Sequence, residues 1–469
     1  MLSRRSWLAF SVFVLATLMM SVHPADSQTV NEVFAFSAAN LGSGPEGTPV
    51  QGRDGKLYGV VNGSIFRMSP GGKNAEIVYA VNSTSGWNAA SLILATDGKF
   101  YGTGFAGSGG DGILFSLTPS GTFTVLYQFN GGSGGVFPVS PLVEASDGNL
   151  YGVTDATGNN YQGTVYKYDL STGLFSTILT FNQDGSQGNT LSGPLLQAAD
   201  GNLYGVAVSG GAYDYGAIYS LTTSGTLLWE YSFGVYAVQP DGALIQASDG
   251  NIYGVTVGGG SGNDFCSFYF GCGTIFMLSN TDVSYVYSFQ GYPVDGYDAT
   301  AALLEGSDGK LYGTTARGGY DLDGTKDYGT LYQITTDPFQ YQLLYSFVAR
   351  VGWAPYWSMM QHTNGKFFGT TVAGGRYAGG AMYSLNMGLG PFIALVRYTG
   401  RIGQPVQILG QGLTGTTSVT INGVPVTTYK IVSDTFMTAV VPTGATTGPV
   451  VVTTPTGTLT SNRNFQILH

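Results

Sequence analysis

Few side chains in this sequence could carry acid–base or nucleophilic chemistry. Of its 3 histidines, only His362 and His469 lie beyond the apolar N-terminal segment. Histidine is the usual general base at neutral pH and a common metal ligand, so Ser/His/Asp hydrolysis and histidine-ligated metals are unexpected. We therefore expect no catalytic residue, no metal site and no cofactor. We interpret His362, which stands where other repeats have Ala or Gly, as a packed or capped side chain.

Carboxylates are the remaining candidates for catalysis. Glu144 and Glu305 occupy equivalent positions in two repeats, where four other repeats have glutamine. A mostly neutral ring of this kind indicates hydrogen bonding between neighbouring repeats, with an acid–base pair as the alternative. The segment from Asp321 to Asp327 resembles a calcium loop, but it lacks the full ligand series and the terminal glutamate.

The two cysteines, Cys266 and Cys272, fall in a predicted loop. In an oxidising compartment they can close a small disulfide ring. Two free thiols are the alternative, and a zinc site would need further ligands, since structural zinc takes four.

Aromatic side chains on loops give the better binding signal. In a four-stranded repeat, the loops between strands two and three and between strand four and the next repeat emerge on one face, where loop-borne function is expected. Here those loops are long and aromatic, and aromatic platforms with few charges suit stacking on sugar rings. The candidate ligand-binding residues are Trp87, Phe137, Tyr320, Trp353, Tyr356 and Trp357.

Trp357 is the most specific of these candidates. Other repeats carry Ser140, Gly193 or Gly242 at its position, on a strand predicted to line a central channel. A tryptophan there would lie near the channel mouth. The alternative is that Trp353 and Trp357 plug the channel without contacting a ligand.

The elements that position these residues come from an internal repeat. The hexapeptide Asp-Gly-x-aliphatic-Tyr-Gly begins at Asp54 and recurs, and a degenerate seventh copy begins at Asn364. The other copies begin at Asp97, Asp147, Asp200, Asp249 and Asp308. The spacing is typical of propeller blades, and Asp-Gly is a strong hairpin signal in which Asp tolerates and Gly favours a positive φ.

Each repeat reads as four strands. In the third repeat the predicted strands are Pro141–Ala145, Asn149–Thr154, Gly163–Asp169 and Phe175–Phe181. The last repeat lacks its fourth strand, and the segment from Glu32 to Phe36 supplies a matching one. We predict an all-β fold: a seven-bladed β-propeller over 28–387, its last blade closed by the N-terminal strand, which removes an exposed sheet edge.

The run Ser-Asp-Gly-Asn-Leu-Tyr-Gly-Val-Thr, followed by Gly-Thr-Val-Tyr and Leu-Tyr-x-Phe, resembles the GloVer repeat of bacterial choice-of-anchor tandem-repeat proteins. The resemblance covers essentially all of the segment from Glu32 to Leu385. It implies an extracellular bacterial repeat protein with no assigned activity. No C-terminal sorting anchor is recognisable in this sequence.

The pattern changes near residue 388. Short Val/Thr-rich strands are predicted at Pro405–Leu409, Ser418–Ile421, Phe436–Val441 and Gly448–Thr453. The turns around Gly410–Leu413 and Val441–Val450 resemble those of an IPT/TIG domain, which implies an Ig-like β-sandwich over 388–469.

Composition and the N-terminus indicate where the protein acts. Residues 1–27 read as a signal peptide, with Arg4 and Arg5 before an apolar run and a cleavage site near Ser27-Gln28, although a retained anchor is the alternative. We expect a secreted, extracellular or periplasmic chain with no membrane span after cleavage. A net charge of −10 makes nucleic acid an improbable partner.

The sequence therefore favours a secreted binding or interaction module, with an extracellular polysaccharide or a surface protein as partner. A structural surface or matrix protein is the first alternative. A propeller polysaccharide lyase or hydrolase is the less favoured one, because it requires a carboxylate or a Tyr/Arg group beside Trp357.

Overall fold

The computed structural model describes residues 28–80, 87–89, 91–106, 111–138, 140–155, 163–182, 188–260, 266, 271–320 and 327–468. Within these residues the chain is all-β, with a short 3-10 turn at Gly132–Gly134. No helix in the described part is long and apolar enough to cross a membrane.

The N-terminal part consists of seven antiparallel sheets of four strands each, one of them with an additional short strand. Sheet 1 comprises Pro45–Gln51, Leu57–Val61, Ser64–Met68 and Glu76–Tyr79, and sheet 2 comprises Trp87–Ala89, Ile93–Leu94, Phe100–Ala106, Ile113–Leu117 and Phe123–Gln128. Sheet 3 comprises Val143–Glu144, Leu150–Thr154, Thr164–Tyr168 and Phe175–Thr180, and sheet 4 comprises Leu191–Gln197, Leu203–Ala207, Ala217–Leu221 and Leu227–Ser232.

Sheet 5 comprises Ala237–Gln246, Ile252–Gly259, Thr274–Ser279 and Asp282–Ser288, and sheet 6 comprises Leu304–Glu305, Leu311–Thr315, Thr330–Thr336 and Phe339–Ser346. Sheet 7 comprises Met360–Gln361, Phe367–Thr371, Ala381–Asn386 and the N-terminal strand Thr29–Ala35. A separate two-stranded ribbon pairs Gly296–Tyr297 with Arg317–Gly318.

The repeated hexapeptide forms the turn between the first two strands of each sheet. In sheet 3 the Asp147 carboxylate accepts hydrogen bonds from the Asn149 N–H at 3.1 Å and from the Tyr151 hydroxyl at 2.7 Å. The same Asp–Tyr bond recurs in five other sheets. These aspartates are therefore structural. Of the Asp-Gly pair, only the Gly has a positive φ, and the Asp acts through its side chain.

The glycine that ends the hexapeptide makes room for a ring on the next strand. A Cβ at Gly205 would overlap the Tyr219 hydroxyl, and the same crowding occurs between Gly152 and Tyr166. Tyr219 and Tyr166 are fully buried. In the Tyr-Gly pair, the tyrosine hydroxyl bonds to the turn, and the glycine leaves space for the buried aromatic ring of strand three.

The N-terminal strand completes sheet 7. Thr29–Ala35 pairs with Ala381–Asn386 in antiparallel register. The Phe36 N–H then donates to the Gly380 carbonyl at 2.9 Å, as Phe233 does to Gly216 in sheet 4. Phe36 is fully buried, so it fills the position that the last repeat lacks in its own sequence.

Neighbouring sheets are joined by the ring of Gln and Glu side chains. Gln197 of sheet 4 accepts the Ser146 N–H of sheet 3 at 2.8 Å, and Gln51 of sheet 1 accepts the Thr363 N–H of sheet 7 at 2.9 Å. Equivalent bonds are made by Glu144, Gln246, Glu305 and Gln361. The prediction of inter-repeat hydrogen bonding at these positions is confirmed.

Residues 391–468, the C-terminal unit, form two further four-stranded sheets. One comprises Ala394–Leu395, Pro405–Leu409, Tyr429–Ser433 and Phe436–Val440, and the other comprises Ser418–Ile421, Val424–Pro425, Val450–Thr454 and Gly457–Thr460. A parallel pair joins Thr399–Gly400 to Gln466–Ile467. Ile408, Met437 and Val452 belong to one buried core shared by the two sheets. A shared core of this kind is expected between two packed sheets.

Candidate functional site

One cavity of the N-terminal part lies where the inner segments of the seven described sheets meet. Its volume is about 660 Å³, within the usual range for small-molecule sites. Every sheet contributes to its wall, and one lining residue from each, in chain order, is Val50, Leu92, Leu142, Leu195, Ala243, Ala301 and Trp357. The wall therefore includes residues from all seven described sheets, and the line through the cavity between them is its axis.

Small residues let the inner segments approach one another around this axis. A Cβ on Gly193 would lie 2.5 Å from the Gly242 carbonyl oxygen, and one on Gly242 would lie 2.7 Å from the Thr300 carbonyl oxygen. Both glycines have positive φ. Sheet 7 differs, because Trp357 occupies the position that sheets 4 and 5 give to these glycines.

Trp357 and Tyr356 are the aromatic part of the cavity wall. Trp357 is 36% exposed, so its ring is packed on one side and accessible on another. Tyr356 is half-buried. The structure thus brings two of the six sequence-predicted residues into one cavity.

Three of the other predicted residues are described and are not among those that line the cavity. Phe137, Tyr320 and Trp353 are exposed by 44%, 49% and 41%. The Tyr320 ring lies 6.1 Å from that of Tyr292, and the Trp353 ring lies 6.3 Å from that of Tyr328. The Trp353 backbone pairs with that of Ala373.

Phe137 has a backbone role that the sequence did not reveal. Its φ is 56°, and its N–H donates to the Asp111 carbonyl. Ala354 of sheet 7 has the same φ and the same bond to the preceding sheet. The position is therefore a repeated turn at which the side chain varies.

Several predictions concern residues outside the described part of the chain. For Trp87 only the backbone strand is described, and the calcium-like segment falls largely on residues 321–326. Within the described residues, no group of three or more His, Cys, Asp or Glu side chains could hold a metal ion. Cys266 and Cys272 are joined as a disulfide, with Cα atoms 4.9 Å apart.

A polar group in the cavity wall was missed by the sequence analysis. Asp241 is a lining residue, and its Oδ1 accepts hydrogen bonds from the Ser192 hydroxyl at 2.6 Å and from the Gly242 N–H at 2.9 Å. An alignment of the repeats on Trp357 places Asp241 at the position that Tyr356 has in sheet 7 and Ser192 has in sheet 4. An acid among polar and aromatic residues at one repeat position is the signal that could have found it.

A second polar cluster lies next to the wall. Arg317 Nε is 3.6 Å from the Asp298 carboxylate, and the Tyr297 hydroxyl donates to Asp327 at 2.5 Å. Burial raises the pKa of Asp298, the nearby Arg317 opposes that shift, and the charge on Asp241 adds to it. Asp298 and Asp241 are thus close enough to interact electrostatically.

His362 plays no part in this site. It is 1% exposed, its Nε2 lies 3.0 Å from the Gly55 carbonyl oxygen, and its Nδ1 accepts the Asn364 N–H at 3.1 Å. Burial lowers its pKa. The prediction of a packed and capped side chain is confirmed.

The C-terminal unit contacts the N-terminal part at the end of the inner segments that carries the Asp-Gly turns. Arg397 donates to the Ala145 carbonyl at 3.1 Å and lies 3.6 Å from Glu144. Arg463 donates to the Gln246 carbonyl at 3.0 Å and lies 4.0 Å from Glu305. These contacts place arginines of the C-terminal unit beside the two buried acids of the ring.

Further contacts extend around the same end. The Thr399 hydroxyl lies 3.2 Å from the Gln197 amide oxygen of sheet 4, and Gln411 donates to the Thr363 hydroxyl of sheet 7 at 2.9 Å. The Arg53 guanidinium of sheet 1 lies 4.3 Å from the Phe436 ring centroid. The C-terminal unit thus touches sheets 1 and 3 to 7 at this end.

Comparison with known proteins gives a family and a fold. The Gloeobacter/Verrucomicrobia repeat matches residues 60–268 and 266–417. No curated protein matches the chain.

Solved structures resemble the chain at low sequence identity. A catalytically inactive virginiamycin B lyase from Staphylococcus aureus with quinupristin matches at 13% identity and a TM-score of 0.52, covering 77% of this chain and 99% of that one. A fungal alcohol oxidase in complex with copper matches at 12% identity and a TM-score of 0.50, covering 95% and 100%. The extracellular domain of a hybrid two-component system from B. thetaiotaomicron matches at 12% identity and a TM-score of 0.53, covering 94% and 57%. These likenesses show a propeller-like all-β fold.

Proposed function

This chain belongs to the Gloeobacter/Verrucomicrobia repeat family, and we propose that it is a secreted binding protein that holds an extracellular glycan in its central cavity. We also propose that the seven sheets form a closed seven-bladed propeller followed by an Ig-like domain. The pairing of the N-terminal strand in sheet 7 and the bond between Gln51 and Thr363 support the closure.

One observation carries the binding proposal: a cavity of about 660 Å³ on the axis has Trp357 in its wall, where sheets 4 and 5 have glycine. The ring of Trp357 is partly accessible, and Tyr356 lies beside it. An aromatic face of this kind packs against the CH-rich face of a sugar. Hydroxyls of Ser91, Ser192 and Ser358 border the same space and suit the hydrogen-bonding needs of a glycan.

Secretion is supported by the sequence of residues 1–27 and by the cysteine pair. The basic and apolar order of that segment is typical of a signal peptide. The disulfide between Cys266 and Cys272 is the form expected in an oxidising compartment.

Cleavage of the bound glycan is the second candidate function. Asp241 lines the same cavity as Trp357, and Arg317 lies close to Asp298 and interacts with Tyr297 and Tyr356, so an acidic group and a Tyr/Arg pair are available to such chemistry. Acids in such a position can act as general acid or base on a glycosidic bond. An assay for new reducing ends or unsaturated products distinguishes cleavage from binding.

The test is a titration of chain 28–469 with a panel of polysaccharides, followed by tryptophan fluorescence. We expect a saturable change that is lost in Trp357→Ala and retained in Trp353→Ala, a matched control since Trp353 is equally exposed but does not line the cavity. No change across the panel would contradict the glycan proposal and favour a structural or protein-binding role.

A further inference from the structure

The electrostatics of the cavity discriminate among glycans. Among the described residues that line it, Asp241 has the sole charged side chain. Within the described part of the chain, both hydrogen bonds to this carboxylate go to Oδ1, so Oδ2 is available to a ligand. A carboxylate in a largely apolar wall favours a cationic or hydrogen-bond-donating group and disfavours an anion.

The described charged residues around the cavity also have a negative net charge. Asp298 lies close to Arg317, and Asp327 accepts a hydrogen bond from the N–H of the next residue, Gly318. Counting only the described residues, these three charges sum to −1, and Asp241 makes the local total −2. The whole chain carries −10. An acidic polysaccharide would approach against this potential, whereas an amine-bearing one would be attracted.

One end of the axis is closed. The C-terminal unit contacts six of the seven sheets beside the Gln/Glu ring, through residues that include Thr399, Gln411 and Arg463. The lining residues come immediately before that ring in each inner segment, so the cavity continues away from the C-terminal unit. Trp357 precedes Gln361 by four residues, up to about 13 Å of extended chain.

A cavity closed at one end admits the end of a chain and excludes its middle. A linear polysaccharide could cross an open groove at any of its residues, whereas a cavity covered at one end favours entry of a terminal unit toward Trp357 and Asp241, which both line it. Ser140 adds a buried hydroxyl at the wall that has no hydrogen-bond partner among the described residues. This is the geometry of a pocket for one or two sugar rings.

We propose that the cavity binds the terminal residues of an amino-sugar oligosaccharide, with the ring against Trp357 and the ammonium group on Asp241. This inference rests on the proposed glycan-binding function and specifies its ligand. The acetylated form of the same sugar should bind more weakly, because it lacks the charge that Asp241 pairs with. A uronic-acid oligosaccharide should not compete.

The experiment measures the affinity of chain 28–469 for trimers of glucosamine, N-acetylglucosamine and galacturonic acid in mildly acidic buffer. We expect the glucosamine trimer to bind best, and Asp241→Asn to reduce its preference over the acetylated trimer by about tenfold, as for a charge-assisted hydrogen bond. Asp282→Asn is the matched control, since Asp282 is exposed on the outermost strand of the same sheet.

Chain length tests the closed end. Competition by a long glucosamine polymer should depend on the molar concentration of chain ends, so that at equal mass the polymer competes more weakly than the trimer. Competition proportional to mass would overturn end recognition.

The outcomes separate the two proposals. If no trimer binds but a polysaccharide of the panel does, the amino-sugar inference falls and the glycan function stands; if nothing in either set binds, both fail. If trimers bind through Trp357 but Asp241→Asn leaves their ranking unchanged, or galacturonic acid competes, the glycan function stands and the amino-sugar inference falls. Circular dichroism of each variant confirms that a lost affinity is not a lost fold.

Discussion

Closure by the N-terminal strand predicts a large cost for truncating one side chain. Phe36 is fully buried, and its ring lies 5.3 Å from that of Phe66 in sheet 1. Burying a phenylalanine removes about 150–250 Å² from water, which at about 25 cal/mol/Å² contributes about 4–6 kcal/mol. A compact denatured state reduces this by about 10–40%. We therefore expect Phe36→Ala to lower the free energy of unfolding by about 3–5 kcal/mol, the range found for such truncations.

Urea unfolding of wild type, Phe36→Ala and Phe233→Ala measures this cost. Phe233 is the matched control because it has the same burial and the same backbone bond in sheet 4, whose four strands are consecutive in the chain. The two variants should lose similar amounts of stability. If Phe36→Ala costs less than about 0.5 kcal/mol, as a surface substitution does, while Phe233→Ala keeps its full cost, the N-terminal strand does not close the ring.

Two further predictions concern buried polar groups. Burial raises the pKa of Glu305 above its usual value of 4.5, so the folding stability of the wild type falls as pH rises from 4.5 through the folded-state pKa. The Glu305→Gln variant cannot ionise at this position. It should therefore be more stable than wild type at neutral pH, but not below pH 4.5. Urea midpoints of wild type and variant at both pH values check this. Glu76→Gln is the control and should be less stable than wild type at neutral pH, because hydrogen bonding to an arginine lowers the pKa of Glu76. An equal stability difference between Glu305→Gln and wild type at both pH values would contradict the reasoning. Tyr253→Phe should cost about 1 kcal/mol because it loses a bond to Asp249, whereas Tyr219→Phe should cost nothing, since its buried hydroxyl has no partner among the described residues. The reverse order in thermal unfolding would refute that assignment.

The repeats made much of the fold predictable. The turn, the tyrosine tie and the core aromatic of each sheet depend on residues close in sequence, so the hexapeptide carries them without long-range information. In the third repeat the predicted strand Asn149–Thr154 is observed as Leu150–Thr154, and in the C-terminal unit Pro405–Leu409 has its predicted bounds. The N-terminal strand was predictable for the same reason, because Phe36 completes a count of repeated motifs.

The site was less predictable, because its chemistry lies where the repeats differ. Trp357 was recognisable as a large residue at a small-residue position, but Asp241 looks like an ordinary loop acid unless the repeats are aligned on it. Phe137 resembled a ligand contact because it is aromatic, but its position is fixed by a backbone hydrogen bond. The type of side chain does not predict such a bond. The contacts of Arg397 and Arg463 depend on how two separate units fit together, which no local pattern encodes.

The junction between sheets has a consequence for how such a chain grows. The third to seventh repeats each hold an acceptor side chain, such as Gln197, and two residues later the N–H that the next repeat's acceptor receives. A duplicated copy of one of these repeats therefore arrives with both parts of its connection. Insertion or loss of a copy therefore needs no compensating mutation at its neighbours. The junction between sheets 1 and 2 has diverged: Leu94 replaces the acceptor, and the Arg53 side chain donates to the Thr96 carbonyl at 2.7 Å. A copy of the first or second repeat would therefore need its present partner at this junction, whereas the other repeats can follow one another in any order.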